Sequence, residues 1–249
     1  MQISAKEIAS LLRTLSRSAV RPHFTSAVIA AAGSGRRMGG VSKPNIKVLG
    51  KTLFQYVLEA FDKSCVCEIV VVCSEDNENS LRALAVGYNK PIIFTRGGET
   101  RAESVKNGIS QSSKDTEIIC VHDCARPFIT AEMIDDAIEK AIFHGASCVC
   151  AEVTDTIKHK DARTGVVTTP DRSALFAVQT PQCFKKSLYL HAVNALNDDI
   201  SGFTDETSLL EEIGVEVCYI KRAETNMKLT TANDVPIAEF LMNKKEVMS

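Results

Sequence analysis

The sequence has no surplus of basic residues, no long apolar run and no CxxC cysteine pair. Its 29 Lys and Arg residues against 31 Asp and Glu residues give a net charge of −2. A general nucleic-acid-binding protein usually carries a basic surplus. No apolar stretch approaches the ~20 residues that are needed to cross a bilayer. We therefore expect neither nucleic acid nor a membrane among the partners of this chain.

The nine cysteines show no spacing typical of a metal site or a disulfide framework. Their number is odd, and most of them lie inside apolar runs such as "IVVVC" and "SCVCAEV". Cysteines of this kind usually act as small buried apolar residues in a reducing compartment. We therefore predict reduced thiols, no structural zinc and a bacterial cytoplasmic location, with a plastid as the alternative.

The 249 residues, 45% of them hydrophobic, are enough for one α/β domain with a large core. No internal repeat, low-complexity tract or linker divides the chain. Residues 26–243 are predicted to form this domain, with a C-terminal tail at 244–249. The extension at residues 1–25 has one acid, several Arg and Ser, and apolar residues at helical spacing. This pattern predicts an amphipathic helix, and an organelle transit peptide is the alternative.

Short β-branched runs alternate with helical patterns along the first two thirds of the domain. Strands are predicted at 26–31, 68–73, 91–95, 117–122 and 147–153, and helices between them at 52–64, 78–87, 101–111 and 131–144. This alternation predicts an α/β fold with a Rossmann-like, mostly parallel sheet and helices on both faces. Ligands bind such sheets at the carboxyl ends of the strands.

The pattern changes after the fifth strand. Residues 155–182 alternate polar and apolar side chains around a turn at 161–165, which predicts a β-hairpin projecting from the sheet at about 155–175. An exposed antiparallel arm needs covering, most simply by a second subunit. Helices at 185–197, 205–213 and 231–243 and a strand at 216–220 are expected to complete the domain.

The stretch "AAGSGRRMGGVSK" at 31–43 follows the first strand and combines four glycines with cationic side chains. Glycines allow a close backbone approach, and successive N–H groups in such a loop bind anions. Neither the P-loop pattern GxxxxGK[ST] nor the dinucleotide pattern GxGxxG is present, which argues against a dehydrogenase. The stretch favours phosphate binding, with a solvated basic turn as the alternative.

Two further motifs follow later strands of the predicted sheet. "RGGETRAES" (96–104) pairs glycines with an acid, an Arg and a Ser, although a capped helix start explains part of this pattern. "VHDCARPF" (121–128) ends the fourth strand, where an aspartate suits a magnesium shell or ribose hydroxyls. For His122 we expect a structural role.

Seven segments in order resemble the 2-C-methyl-D-erythritol 4-phosphate cytidylyltransferase family of nucleotidyltransferases. They are "AAGSGRRMG…SK", "GGETRAESV", "VHDCARPF", "TDTIK", "DRSALFAVQTPQ", "TDETSLLE" and "AETNMKLTT". The sequence departs from the family at "SKPN", at Glu99 and at Cys124. The resemblance implies transfer of CMP from CTP to the alcohol phosphate in isoprenoid biosynthesis, with Mg²⁺ held mainly by the CTP phosphates. It also implies a homodimer formed through the 155–175 arm.

The resemblance also implies roles for individual residues. The catalytic cations are Arg37 and Lys43. The nucleotide-binding residues are Ala31, Ala32, Gly33, Gly35, Gly98, Glu99, Ser104, Asp123 and Lys228, of which Asp123 is also the candidate metal ligand. The residues for the alcohol phosphate and phosphoryl groups are Arg126, Thr156, Arg172, Thr180, Thr204 and Lys228.

The residues themselves favour nucleotidyl transfer, because alignment and charge neutralisation do most of the work in that chemistry. No Ser/His/Asp set or Cys/His pair is evident in the sequence. A ribitol 5-phosphate cytidylyltransferase shares most of the motifs and stays open as an alternative. A sugar-1-phosphate nucleotidyltransferase and a non-catalytic nucleotide-binding regulator are the more distant alternatives.

Overall fold

The computed structural model describes residues 23–33, 42–222 and 225–248. The strands are β1 Thr25–Ala30, β2 Lys47–Val48, β3 Lys51–Thr52, β4 Glu68–Cys73, β5 Ile92–Arg96, β6 Ile118–Asp123, β7 Ala146–Glu152, β8 His159–Lys160, β9 Val167–Thr168, β10 Phe176–Lys185 and β11 Cys218–Lys221. The helices are α1 Leu53–Lys63, α2 Glu75–Leu84, α3 Arg101–Ser110, α4 Ala131–His144, α5 Lys186–Ala195, α6 Glu206–Glu212 and α7 Asp234–Met248. Residues 1–22 of the predicted N-terminal helix lie outside the described residues.

Seven strands form the central sheet in the order β11-β7-β10-β6-β1-β4-β5. Every pair is parallel except those of β10, which runs antiparallel to both β6 and β7. The prediction of a mostly parallel α/β sheet is therefore confirmed. The strand β10 was not predicted, because its residues were assigned in part to the projecting hairpin.

Neighbouring residues of β1 show how the sheet is covered on both sides. Ala27 and Ile29 belong to one buried cluster, with α1 and α4, whereas Val28 belongs to another, with α3, α5 and α6. The alternation follows from the period of two along a strand. Each fully buried Val or Ile side chain contributes roughly 1.5–3 kcal/mol, so the helices are held on both faces by burial. A third cluster joins α7 to β2 and the start of α1.

Helix starts follow the capping residues in the sequence. Thr52 and Gln55 form a capping box at α1, and Ser74 and Asn77 form one at α2. The second box explains why α2 begins at Glu75 rather than at residue 78, since this polar segment has little apolar periodicity of its own. Among the described residues, no helix combines the length and apolarity that crossing a membrane requires.

The strands β8 and β9 pair as a short hairpin, as predicted. The carboxylate of Asp161 accepts hydrogen bonds from the backbone of Arg163 and Thr164, and Gly165 has a φ of +73°. These features close the turn. The arm carries exposed apolar side chains, namely Ile157, Val166 and Val167, and Phe176 and Val178 at its base are exposed as well.

All nine cysteines lie in the described part of the chain, and no disulfide joins them. Six are buried, namely Cys73, Cys120, Cys124, Cys148, Cys150 and Cys183. Within the described ranges, no group of three His, Cys, Asp or Glu side chains is placed to hold a metal ion.

Candidate active site

A cleft of about 750 Å³ opens at the carboxyl ends of β1 and β6. The two strands are neighbours, and their last residues, Ala30 and Asp123, stand opposite each other in register. This is the edge at which parallel α/β sheets bind ligands. The described residues that line the cleft are Ala30, Ala31, Ala32, Gly33, Lys43, Pro44, Gly98, Glu99, Thr100, Arg101, Ser104, Asp123, Cys124, Ala125 and Lys228.

A glycine turn forms one wall of the cleft between β5 and α3. Ser104 Oγ accepts a hydrogen bond from the Gly98 N–H at 3.0 Å, and the Glu103 carboxylate accepts one from the Glu99 N–H at 2.7 Å. Thr100 caps α3. The capped helix start predicted for this motif is present, and the same hydrogen bonds shape the wall of the cleft.

Gly97 allows this turn to pack directly against the loop that follows β1. A Cβ atom at position 97 would lie 2.6 Å from Ala32 Cβ and 2.8 Å from Ser104 Oγ. Ala32 Cβ is fixed to the backbone and has no rotamer that avoids the clash. The distance between the two walls of the cleft therefore depends on this glycine.

We expect Gly97→Ala to raise the KM for a nucleotide bound in the cleft by roughly tenfold, because overpacking of this size typically costs about 1–3 kcal/mol. Steady-state kinetics with varied nucleotide would measure the change. Gly202→Ala is the matched control, since a Cβ there meets nothing within 4 Å. Equal KM values in the two variants would contradict this packing argument.

Cationic side chains from three segments of the sequence surround Asp123. Lys228 Nζ lies 2.6 Å from Asp123 Oδ2, and Arg101 Nε lies 3.2 Å from Oδ1. Arg126 Nε lies 3.8 Å from Oδ2. Burial raises the pKa of Asp123, but the charges of Arg101 and Lys228 outweigh it and hold the pKa well below its usual range. Asp123 is therefore ionised throughout the neutral range.

The segment before α7 is tied to the turn after β6, which places Lys228 beside Asp123. The Leu229 N–H donates to the Ala125 carbonyl at 2.8 Å, and Arg126 donates from Nη1 to the Asn226 carbonyl at 2.8 Å. Lys43 approaches from the other side and donates from Nζ to the Leu229 carbonyl at 3.3 Å. Lys43 and Lys228 therefore reach the same cleft.

The imidazole of His122 is buried below the cleft and hydrogen-bonded at both nitrogens. Nε2 lies 3.1 Å from the Arg126 carbonyl, which only accepts, so this nitrogen carries the proton. Nδ1 then accepts from the Thr180 hydroxyl at 3.0 Å, which itself accepts from the Asp123 N–H. Burial lowers the pKa of His122 to about 4, so the ring is neutral. The arrangement supports the structural role expected for this histidine.

The buried neutral imidazole makes stability depend on pH. In the unfolded chain His122 takes up a proton below about pH 6.5, whereas the folded protein resists protonation until about pH 4. The unfolding free energy is at its full value above pH 6.5 as far as His122 is concerned. It falls by roughly 3 kcal/mol as the pH decreases from 6.5 to 4. Asp123, Arg126 and Lys228 are the charged groups that act on the ring.

We therefore expect His122→Asn to flatten the fall in unfolding free energy between pH 7 and 4.5 relative to the unsubstituted protein. Urea denaturation at the two pH values would measure the difference. His191→Asn serves as the control because His191 is exposed on α5. If the unfolding free energies of the two variants show the same pH dependence, His122 is not its source.

The structure places the predicted site residues in three groups. Those that line the cleft are Ala31, Ala32, Gly33, Lys43, Gly98, Glu99, Ser104, Asp123 and Lys228. Arg126 and Thr180 lie directly behind it and contact Asp123. Thr156, Arg172 and Thr204 are exposed and do not line it, and Arg172 donates from Nη1 to the Thr154 carbonyl within the arm. Gly35 and Arg37 lie outside the described residues.

Arg101 and Glu206 are two residues of the site that have no role predicted from the sequence. Arg101 donates from Nη1 to Glu206 Oε1 at 2.8 Å while its Nε faces Asp123. Arg101 lies in the motif "GGETRAESV" and Glu206 in the motif "TDETSLLE". The only signal for their pairing is a charged residue of each sign in two segments 105 positions apart.

Comparisons with known proteins point to one family. The chain matches the family model of 2-C-methyl-D-erythritol 4-phosphate cytidylyltransferase over residues 25–244. It is 40% identical to the protein of that name from Caldanaerobacter subterraneus subsp. tengcongensis, over 88% of this chain and 99% of the relative. A relative from Oryza sativa subsp. japonica, named as chloroplastic, is 35% identical over 91% of this chain and 77% of its own length.

Solved structures give the same result. The crystal structure of 4-diphosphocytidyl-2C-methyl-D-erythritol synthase from Anaerococcus prevotii matches with a TM-score of 0.80 and 27% identity, covering 89% of this chain and 97% of that one. The 2-C-methyl-D-erythritol 4-phosphate cytidylyltransferase of Thermus thermophilus matches with a TM-score of 0.69 and 27% identity, covering 88% and 98%. The chain thus belongs to the 2-C-methyl-D-erythritol 4-phosphate cytidylyltransferase family.

Proposed function

We propose that this chain transfers the cytidylyl group of CTP to 2-C-methyl-D-erythritol 4-phosphate, with release of pyrophosphate, in isoprenoid biosynthesis. One observation supports this most strongly. Lys43 and Lys228 enter one cleft from segments far apart in sequence, beside a glycine turn and the ionised Asp123. A site of this composition suits a triphosphate.

The reaction is an in-line attack of a substrate phosphate oxygen on the α-phosphorus of CTP. The new bond joins that oxygen to the α-phosphorus, and the bond from the α-phosphorus to the bridging oxygen of pyrophosphate breaks. The nucleophile is already an anion, so no general base is required. The neutral, doubly hydrogen-bonded His122 agrees with this scheme. Lys43 and Arg37 stabilise the charge that develops on the α-phosphate and the leaving group.

The glycine turn is proposed to hold the cytosine. Gly98, Glu99 and Ser104 line the cleft around the start of α3. The capping hydrogen bonds occupy the N–H groups of Gly98 and Glu99 and keep the turn in place, so the backbone carbonyl groups of the turn are the groups that match the amino edge of a base.

The donor set fits a magnesium ion bound mainly through the nucleotide. Mg²⁺ in nucleotide sites uses one or two carboxylates together with substrate phosphates and water. Asp123 supplies a carboxylate at the cleft. Its two oxygens have lone pairs in addition to those that accept from Arg101 and Lys228. When bound, the ion would neutralise charge on the phosphates. Asp123 is the residue proposed to hold it.

The arm is proposed to bind a second copy of the chain. Its exposed apolar residues Ile157, Val166 and Val167 are the kind of surface that is covered in an oligomer. Thr156 and Arg172, which the family resemblance assigns to the alcohol phosphate, do not line the cleft of their own chain. A homodimer in which each arm reaches the partner's cleft reconciles these two observations.

The cellular location stays a prediction. The Caldanaerobacter subterraneus relative is a bacterial protein, and the rice relative is named as chloroplastic. We propose the bacterial cytoplasm, with a plastid as the alternative.

The test is release of pyrophosphate from CTP in the presence of either 2-C-methyl-D-erythritol 4-phosphate or ribitol 5-phosphate. We expect turnover with the first substrate and at least tenfold lower kcat/KM with the second. The reverse preference would assign the chain to the ribitol phosphate reaction. Binding of CTP with no turnover of either substrate would identify a nucleotide-binding regulator instead.

A further inference from the structure

Arg101 is shared between two carboxylates at the floor of the cleft. Its Nε faces Asp123 Oδ1 at 3.2 Å, and its Nη1 faces Glu206 Oε1 at 2.8 Å. The Glu206 side chain is only 3% exposed and that of Asp123 only 10%. The bridge therefore joins the first residue of α3, the last residue of β6 and the first residue of α6 in a poorly hydrated environment.

Because Arg101 contacts two carboxylates, the number of hydrogen bonds that it forms with Asp123 is limited. A guanidinium beside one carboxylate normally forms two parallel hydrogen bonds and neutralises both oxygens. Here the shorter contact is with Glu206, so Asp123 receives a single hydrogen bond from Arg101, and its Oδ2 accepts from Lys228 at 2.6 Å.

The backbone of Glu206 is fixed from the sheet. Gln182 on β10 accepts at Oε1 from the N–H groups of Glu206 and Thr207, and it donates from Nε2 to Asp205. These contacts hold the start of α6, so that the position of Glu206 determines that of Arg101 rather than the reverse.

The Glu206 carboxylate is not satisfied by this structure alone. Its Oε2 is buried without a hydrogen-bond partner among the described residues. A buried acceptor left unpaired is destabilising, and such groups in native proteins usually have a functional reason. A glutamine at this position would avoid the buried charge but would accept only a weaker hydrogen bond from Arg101. The carboxylate is therefore explained better by its action on Arg101 than by stability.

We propose that Glu206 is a positioning residue for the transfer reaction. It holds one side of the Arg101 guanidinium, limits Arg101 to a single contact with Asp123, and leaves the second oxygen of Asp123 to Lys228. This inference rests on the proposed function, because Lys228 is one of the cations proposed to bind the phosphoryl groups.

Removal of the Glu206 charge should weaken its hold on Arg101. Arg101 then forms the two-bond pair with Asp123 and competes with Lys228 for it. Lys228 adjoins Leu229, whose carbonyl is held by Lys43, so the change reaches both lysines. The loss should fall on turnover, because a small displacement of catalytic groups costs much of their effect. The cytosine wall, held by Ser104 and the capping box of α3, stays in place.

The experiment measures kcat and both KM values by pyrophosphate release for the unsubstituted protein, Glu206→Gln, Arg101→Gln and the double variant. We expect Glu206→Gln to lower kcat by roughly tenfold or more while the KM for CTP changes less than about threefold. The double variant should be no slower than Arg101→Gln, because Glu206 acts through Arg101.

Glu68→Gln is the matched control. Glu68 is also buried, and it lies at the opposite, amino edge of the sheet, where it accepts from Ser26 and from the Ser113 N–H. The same substitution there should leave kcat unchanged, whatever it does to the melting temperature. If Glu206→Gln does not fold, Arg101→Lys is the variant that tests the proposal, because an ammonium lacks the planar set of N–H donors that bridges two carboxylates.

The outcomes separate this inference from the proposed function. An unsubstituted protein with no turnover of CTP and the alcohol phosphate would overturn the proposed function. If the unsubstituted protein is active and Glu206→Gln leaves kcat unchanged, the positioning role alone is overturned. Where Glu206→Gln does not fold, an unchanged kcat in Arg101→Lys has the same meaning. Independent, additive losses in the double variant would also overturn it.

Discussion

Replacement of Lys43 with alanine is expected to lower kcat by roughly 10²–10³-fold, which corresponds to a loss of about 3–4 kcal/mol of transition-state stabilisation. The residue begins a short 3₁₀ turn, Lys43–Asn45, whose Pro44 is buried, and Nζ reaches the Leu229 carbonyl at the cleft. The ammonium is therefore held in place before substrate arrives, which is the condition under which a cation is most effective.

The loss from Lys43→Ala should appear in kcat more than in the KM for CTP. Charge on the α-phosphate and on the leaving pyrophosphate grows in the transition state, so a cation directed at those oxygens stabilises the transition state more than the bound nucleotide. The fold should be unaffected, because the packing of this segment comes from Pro44 and Val48 rather than from the ammonium.

Measurement of kcat by pyrophosphate release, with thermal unfolding as the check on the fold, tests this prediction. Lys114→Ala is the control, since Lys114 is exposed in the loop before β6, at the amino edge of the sheet. A Lys43→Ala variant whose kcat stays within about threefold of the control would exclude a catalytic role for this lysine.

Much of the fold follows from local sequence pattern. The runs "AVIA" and "EIVVVC" are short and rich in β-branched residues, so their strands and the α-helix between them are predicted close to their observed bounds. The strand β10 was not predicted as part of the sheet. Its first residues are exposed and its last ones buried, so the strand has no single pattern, and its antiparallel pairing with β6 and β7 is set by distant residues.

The site also has features that local sequence predicts and features that it does not. Strand ends are predictable, and the motifs after β1, β5 and β6 do meet at one edge. The contacts that organise the charges are not predictable in this way. Asp123 meets Lys228 across 105 positions, and Arg101 meets Glu206 across 105 as well. No local pattern encodes such pairs, and only the family resemblance assigned a binding role to Lys228 in advance.

Arg172→Ala is expected to lower kcat/KM for the alcohol phosphate by roughly 10²-fold, because loss of one partner of a hydrogen-bonded charge pair typically costs about 2–5 kcal/mol. The KM for CTP should change little. Arg172→Lys should recover only part of the loss, since an ammonium does not reproduce the two-bond contact of a guanidinium with phosphate. An unchanged KM for the alcohol phosphate in both variants would argue against this role. Arg163→Ala, at the exposed turn of the same arm, is the control.

A mixture of the two inactive variants distinguishes action within one chain from action between chains. If Arg172 serves the partner's cleft, a dimer of one Lys43→Ala chain and one Arg172→Ala chain has one site with both residues intact and one site lacking both. Random exchange of subunits should then restore about a quarter of the unsubstituted turnover. If Arg172 serves the cleft of its own chain, every site in the mixture lacks one residue and turnover stays low. The recovered activity thus reports directly on whether the arm completes the active site of a second copy.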